Sequence, residues 1–167
     1  MTEQGALPPR SGQNFADQPH AFNPVTQSQL FDGVIGKRII AFIIDAIIIL
    51  VLTAVAALLV LLLGVITLGF GWLLFPIVFP VVGLGYNALT IGGPNSATVG
   101  QRIMELEVRM WFGGKVTPLI AAFHALLFWV SLYTAVLWLI DVVWALFDDR
   151  KCCLHDIFAG VVLINRT

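Results

Sequence analysis

The stretch Gly36-Lys-Arg-Ile-Ile-Ala-Phe-Ile-Ile-Asp45 opens a long apolar run that continues to Leu63. It places Arg38 where a membrane helix would begin and puts a carboxylate, Asp45, inside that helix. Charged side chains in the hydrocarbon region cost at least a few kcal/mol unless they are paired or hydrated, so Asp45 is a candidate functional residue. The alternative is an ion pair that only holds helices together.

The composition of the whole chain supports a membrane protein. Of its 167 residues, 59% are hydrophobic and 11% are charged, and the mean hydropathy is +0.93. Soluble domains carry about 25% charged residues. With roughly 20 apolar residues needed for each span, the sequence predicts an all-α membrane protein, a small bundle of three or four transmembrane helices. The net charge of −1 and the scattered Lys and Arg residues argue against a nucleic-acid partner.

The chain divides into a polar leader and a membrane domain. Residues 1–33 are rich in Pro and Gln and predict a disordered N-terminal tail. This segment lacks the apolar core of a secretory signal peptide, so we expect the first span to direct insertion. Residues 34–164 form the predicted transmembrane domain, and 165–167 are the C-terminal end.

Three apolar segments, about 39–63, 70–91 and 119–147, are the predicted spans. Pro76 and Pro80 in the second predict a kink. The third segment is longer than the bilayer core requires, because about 29 residues in one helix would measure about 43 Å. Either its first turns lie in the interface, or it is bent into two short limbs.

The loop between the second and third segments carries most of the polarity. Thr98-Val-Gly-Gln101 matches a helix capping box. Polar and apolar residues then alternate over 105–110, and Gly113-Gly114 predicts a turn. We therefore expect an amphipathic interfacial loop, a short helix followed by a hairpin on the membrane surface.

Basic residues predict the orientation. Five of them flank the side that carries the amino terminus, which predicts a multi-pass protein of the cell membrane with a cytoplasmic N-terminus: Lys37, Arg38, Arg102, Arg109 and Lys115. The C-terminus would lie outside if the last segment is straight, and inside if it is bent.

Three separated blocks resemble the RDD family of bacterial multi-pass membrane proteins: Arg38-x-x-Ala-x-x-x-Asp45, the loop block 98–108 and the C-terminal block 154–163. The resemblance maps the family's arginine and two aspartates to Arg38, Asp45 and Asp156. It implies transport of unidentified ligands, cation/proton exchange, or association with other membrane proteins.

The sequence departs from the family pattern at three positions. Gln101 stands where a lysine is usual, Glu105 where a glycine is usual, and His124 where an arginine is usual. The resemblance therefore implies no function that needs a lysine at position 101 or an arginine at position 124.

Several polar residues could act together. Arg38 and Asp45 lie two helical turns apart, too far for a direct bond. We expect Asp45 to contact His124, either sharing a proton that titrates near neutral pH or forming a static hydrogen bond. Asp141 would join Asp45 and Arg38 only if the last segment is bent.

The C-terminal block places Cys152, Cys153, His155 and Asp156 close together in sequence. All four are metal-ligand types, but neighbouring residues rarely turn to one ion, so no metal and no cofactor is expected. Asp156 should instead cap a terminal helix or pair with an arginine such as Arg102.

No nucleophile elbow, P-loop or His-Glu-x-x-His motif appears in the sequence, so we expect no enzyme. The first functional hypothesis is a small transporter or proton-coupled ion exchanger that uses Asp45, His124 and Asp141 and takes a small ion or small-molecule ligand. The second is an accessory or assembly subunit of a larger membrane complex. Expected partners are the lipid bilayer and either further copies of this chain or other membrane proteins.

Overall fold

A computed structural model of the chain describes residues 21–166, which are mostly helical. Two short 3-10 turns, Ser28–Leu30 and Phe70–Leu74, precede the first two helices. In chain order the elements are α1 (Val34–Ile66), α2 (Phe75–Ile91), α3 (Val99–Ile103), β1 (Leu106–Met110), α4 (Pro118–Tyr133), α5 (Ala135–Phe147), α6 (Leu154–Ala159) and β2 (Val161–Asn165).

Two long helical segments carry most of the exposed apolar surface. Ser28–Ile66 and Phe70–Ile91 are long and apolar enough to cross a membrane, with mean hydropathies of 3.3 and 1.7. They coincide with the first two predicted spans. Their large side chains point mainly outward, for example Leu50, which is 65% exposed. Apolar surface of this extent needs a lipid or protein neighbour.

The third predicted span is two helices, and its bent form is the correct one. The chain leaves α4 at Thr134 in an extended conformation and then forms α5. His124 and Asp141 would be about 25 Å apart in one straight helix. Instead, both lie against His155. The fold-back also brings Ser131 Oγ within 3.4 Å of Asp141 Oδ2.

The all-α prediction requires a correction, because β1 and β2 form a two-stranded antiparallel sheet in which Val108 lies opposite Leu163. The predicted hairpin exists only as the turn and an isolated bridge between Arg109 and Lys115. The main partner of β1 is β2, an apolar strand near the C-terminal end of the described chain. Alternation over five residues cannot reveal a pairing partner so distant in sequence.

The sheet buries both of its faces. Leu106, Val108 and Leu163 join the core beneath the helices. Successive strand residues point to opposite faces, so Val162 packs on the other side, against Phe31 and its neighbours.

That second contact changes the boundary of the predicted tail. Residues 1–20 lie outside the described part of the chain, whereas the segment 21–33 is packed on β2. The side-chain amide of Asn165 donates to the backbone oxygens of Gln29 and Asp32, both at 2.9 Å. The described C-terminal end therefore lies on the same side of the molecule as the start of α1.

Candidate functional site

A buried polar group, which we call the Asp156 cluster, joins α1, α4, α5 and α6. Its members are Arg38, His124, Asp141, His155 and Asp156. Asp156 is the centre, and its side chain is only 1% exposed. Its Oδ2 accepts a hydrogen bond from Arg38 Nη2 at 2.5 Å, and its Oδ1 lies 2.7 Å from His124 Nε2.

His155 links the second carboxylate to this centre. Its Nδ1 lies 2.6 Å from Asp141 Oδ2, and its backbone N–H donates to Asp141 Oδ1 at 2.8 Å. Its Nε2 lies 3.3 Å from Asp156 Oδ1. The His124 and His155 rings are inclined to each other by 46°, with centroids 4.9 Å apart. Two carboxylates, two imidazoles and a guanidinium thus share one buried volume.

Local structure at α6 positions Asp156. The carboxylate accepts the backbone N–H of Cys153, the residue that caps the helix, at 2.8 Å. The negative charge also lies in the first turn, where the helix dipole stabilises it. Gly160 then ends α6 at a φ of +68°, a left-handed conformation that turns the chain directly into β2.

The charges of the cluster determine the protonation of its C-terminal groups. Burial alone would raise the pKa of Asp156, but the Arg38 guanidinium and the two histidines outweigh it and hold that pKa below its ordinary value. Burial raises the pKa of the Cys153 thiol to about 12, against the opposing attraction of Arg38. The carboxylate is therefore ionised at neutral pH, and the thiol is protonated.

Asp45 belongs to a different site, so the predicted Asp45–His124 contact is wrong. Its Oδ1 accepts from the Tyr86 hydroxyl at 2.6 Å and from the Gly100 N–H at 2.8 Å. Its Oδ2 accepts from the Thr98 hydroxyl at 2.6 Å. Asp45 thus holds the start of α3 against α1 and α2.

The close contact between α3 and α1 explains a glycine in the loop block. A Cβ at position 100 would lie 2.2 Å from the carbonyl oxygen of Ala41. Only glycine allows this approach. Beside it, the predicted capping box is present, with Gln101 N donating to Thr98 Oγ1 and Thr98 N donating to Gln101 Oε1.

The contacts of the other predicted site residues differ in part from those expected. Asp156 caps α6 as expected, but it pairs with Arg38, whereas Arg102 is exposed on α3. Asp141 meets His155 and does not share a site with Asp45. The bend that was expected to unite them brings Asp141 to α6, because α5 packs against α6.

The sequence reasoning missed the partners of Asp45. Tyr86 and Gly100 were not predicted as site residues, although Tyr86 lies in the second predicted span and Gly100 in the capping-box segment. The available signal was the pattern Thr98-Val-Gly100, whose hydroxyl and free N–H are the groups that a buried carboxylate needs.

One subset of the cluster has the composition of a metal site. One ring nitrogen of His124, one of His155 and one oxygen of Asp156 lie within 4.8 Å of one another. This set differs from the adjacent-residue set considered from the sequence, because His124 comes from α4. Cys153 Sγ instead lies 3.1 Å from Arg38 Nη1.

Comparison with known families decides the relationship. The model of the RDD family matches residues 33–160, about three quarters of the chain. The chain belongs to the RDD family. The match covers both the Asp156 cluster and the Asp45 site. Searches of curated proteins and of solved structures found no match.

Two departures of this RDD chain from the family pattern have structural consequences. Gln101, in place of a lysine, completes the capping box of α3. Glu105, in place of a glycine, has a φ of +56°, in the left-handed region that favours glycine. Glycine would adopt this conformation between α3 and β1 without strain, and His124, at the third position, lies inside the Asp156 cluster.

Proposed function

We propose that this RDD protein is a small membrane transporter that binds a cation at the Asp156 cluster. The observation that carries the proposal is the burial of two carboxylates, Asp141 and Asp156, on either side of His155. Ionisable residues buried in membrane domains are costly, and they commonly mark ion or proton pathways. Two carboxylates in one buried volume attract a cation.

In this proposal, α1 and α2 cross the bilayer, and the α4–α5 pair enters it from the side that carries the amino terminus. The exposed apolar surfaces of these helices support that arrangement. Arg38 lies four residues after the start of α1, and His124 six residues after the start of α4. The cluster would then lie about 6 to 9 Å inside the helix ends, within reach of the cytoplasm.

A single copy offers few helices to enclose a pathway. The α4 and α5 helices contain 16 and 13 residues, about 24 and 20 Å, which is less than the roughly 30 Å hydrocarbon core. We therefore propose that transport requires an oligomer of this chain. Cross-linking in native membranes should trap a dimer or larger species.

Flux measurements in proteoliposomes test the proposal. The wild-type protein should carry cations faster than empty vesicles, and a pH-sensitive dye inside the vesicles will report whether protons move in the opposite direction. Asp156→Asn should reduce flux at least tenfold, whereas Asp149→Asn, at an exposed acidic position, should not change it. Wild-type flux equal to that of empty vesicles, or undiminished flux in Asp156→Asn, would refute the proposal.

An accessory role in a larger membrane complex is the second candidate. Large apolar side chains at the ends of α4 and α5 favour it, because Tyr133 is 84% and Phe147 is 80% exposed. A partner chain would cover them. In mild detergent, a second chain should then co-elute in fixed stoichiometry, and Tyr133→Ser with Phe147→Ser should release it. Recovery of this chain alone would count against the accessory role.

A further inference from the structure

Two imidazoles in the Asp156 cluster direct the same ring atom at one oxygen. His124 Nε2 and His155 Nε2 lie 2.7 Å and 3.3 Å from Asp156 Oδ1. In a tetrahedral site with metal–ligand bonds of about 2.0 Å, neighbouring ligand atoms are about 3.3 Å apart. The two nitrogen–oxygen distances are close to that spacing, and one ligand atom from each of the three residues lies within 4.8 Å of the others.

The two oxygens of Asp156 have separate roles. Oδ2 is held by Arg38 and by the backbone N–H of Cys153. Oδ1 faces the two imidazoles. A metal ion could therefore bind Oδ1 while the contacts that position the carboxylate stay in place.

Asp141 prepares His155 as a ligand. Because Asp141 accepts at His155 Nδ1, the neutral form of the ring carries its proton on that nitrogen and presents the Nε2 lone pair toward Asp156. A cation between Nε2 and Asp156 Oδ1, whether a metal ion or the second proton of an imidazolium, makes this 3.3 Å approach favourable. A carboxylate on the far side of a ligating histidine is also the usual second shell of zinc sites.

His124 can adapt to the same ion. Its Nδ1 is buried and has no hydrogen-bond partner within residues 21–166. That nitrogen can take the ring proton when Nε2 becomes a ligand, so the imidazole stays neutral. When both imidazoles are neutral, the negative charges of Asp141 and Asp156 exceed the single charge of Arg38, which also favours a cation.

We propose that His124 Nε2, His155 Nε2 and Asp156 Oδ1 bind a divalent transition-metal ion of the zinc type. Two nitrogens and one oxygen suit Zn²⁺ and Co²⁺ better than Mg²⁺ or Ca²⁺, which prefer all-oxygen sites. The fourth position is open to water or to an exchanging ligand. This inference rests on the proposed function where it names the transported cation, but the site itself can exist without transport.

Cobalt provides the direct test, because four-coordinate Co²⁺ absorbs visible light. The full chain in mild detergent, stripped of metal, is titrated with Co²⁺ and then with Zn²⁺. We expect one Co²⁺ per chain, with the absorption bands of a nitrogen and oxygen site, displaced by Zn²⁺ and not by Mg²⁺. His124→Gln should weaken Co²⁺ binding at least 100-fold, and Asp141→Asn about 10- to 100-fold.

Controls separate binding from misfolding. Asp149→Asn should bind Co²⁺ like the wild type, and each variant is first checked for an unaltered elution profile. Zn²⁺ should also raise the melting temperature of the wild-type protein, a measurement that needs no variant. Featureless Co²⁺ spectra for the wild type, or bands that persist in both His124→Gln and His155→Gln, would overturn the proposal.

The outcomes distinguish this inference from the proposed function. Cation flux without Co²⁺ or Zn²⁺ binding leaves a transporter for another cation and removes the metal site. Stoichiometric Zn²⁺ binding without any flux retains the metal site and removes the transporter.

Discussion

Replacing Asp45 by alanine should weaken the attachment of the start of α3 to α1. The change removes three hydrogen bonds, from Tyr86, Thr98 and Gly100, of 2.6, 2.6 and 2.8 Å. Bonds to a charged group contribute about 1.5 to 3 kcal/mol each. The desolvation of a buried carboxylate offsets several kcal/mol of that sum. We therefore expect a net loss of about 3 to 4 kcal/mol in the free energy of unfolding.

Matched variants show whether the loss follows the bonds. Tyr86→Phe removes the hydroxyl that donates to Asp45 and accepts the Val99 N–H, and it should cost at least about 1.5 kcal/mol. In the Asp45→Ala background the same change should cost clearly less, because only the bond from the Val99 N–H to the Tyr86 hydroxyl remains to be lost. Gly100→Ala should cost about 1 to 3 kcal/mol by overpacking against the carbonyl oxygen of Ala41.

Unfolding in detergent, followed by tryptophan fluorescence during a denaturant titration, measures these differences. The reasoning fails if Asp45→Ala loses less than about 1 kcal/mol, or if Tyr86→Phe costs the same in both backgrounds. Either result would mean that Asp45 does not attach the loop helix to α1.

Further predictions concern the loop, the thiols and the N-terminal segment. Glu105→Gly should raise the free energy of unfolding by up to about 1 kcal/mol, since the left-handed φ of +56° suits glycine, and the same titration measures it. Because burial raises its pKa to about 12, Cys153 should hold almost no thiolate at pH 7 to 8 and react with maleimide only after unfolding, whereas Arg166→Cys, at an exposed position, should react at once. Asn165→Ala removes both of its bonds to the segment 21–33, so limited proteolysis should cut there faster than in the wild type.

Much of the helical framework could be predicted because it depends on local patterns. The first two apolar segments are each long and apolar enough to cross a membrane, and their positions were predicted correctly. The capping box at Thr98 and Gln101 was also predicted, because both of its bonds lie within four consecutive residues.

The contacts of the candidate site could not be predicted in the same way. Asp45 and His124 were expected to meet because their depths along separate helices were similar. Depth says nothing about which side of a helix faces which neighbour. That side is decided by the close contact at Gly100 and by the docking of α6 against α4 and α5.

By itself, the sequence determined the membrane class, the two long helices and membership of the RDD family. Each of these depends on composition or on patterns within a short stretch of sequence. Only the tertiary structure decided that Asp156 pairs with Arg38 and His124, that Asp45 holds α3, and that β2 completes a sheet with β1. These pairings join segments separated by tens of residues. The contact of Asp141 with His155 also depends on the fold-back at Thr134, which no local pattern specifies.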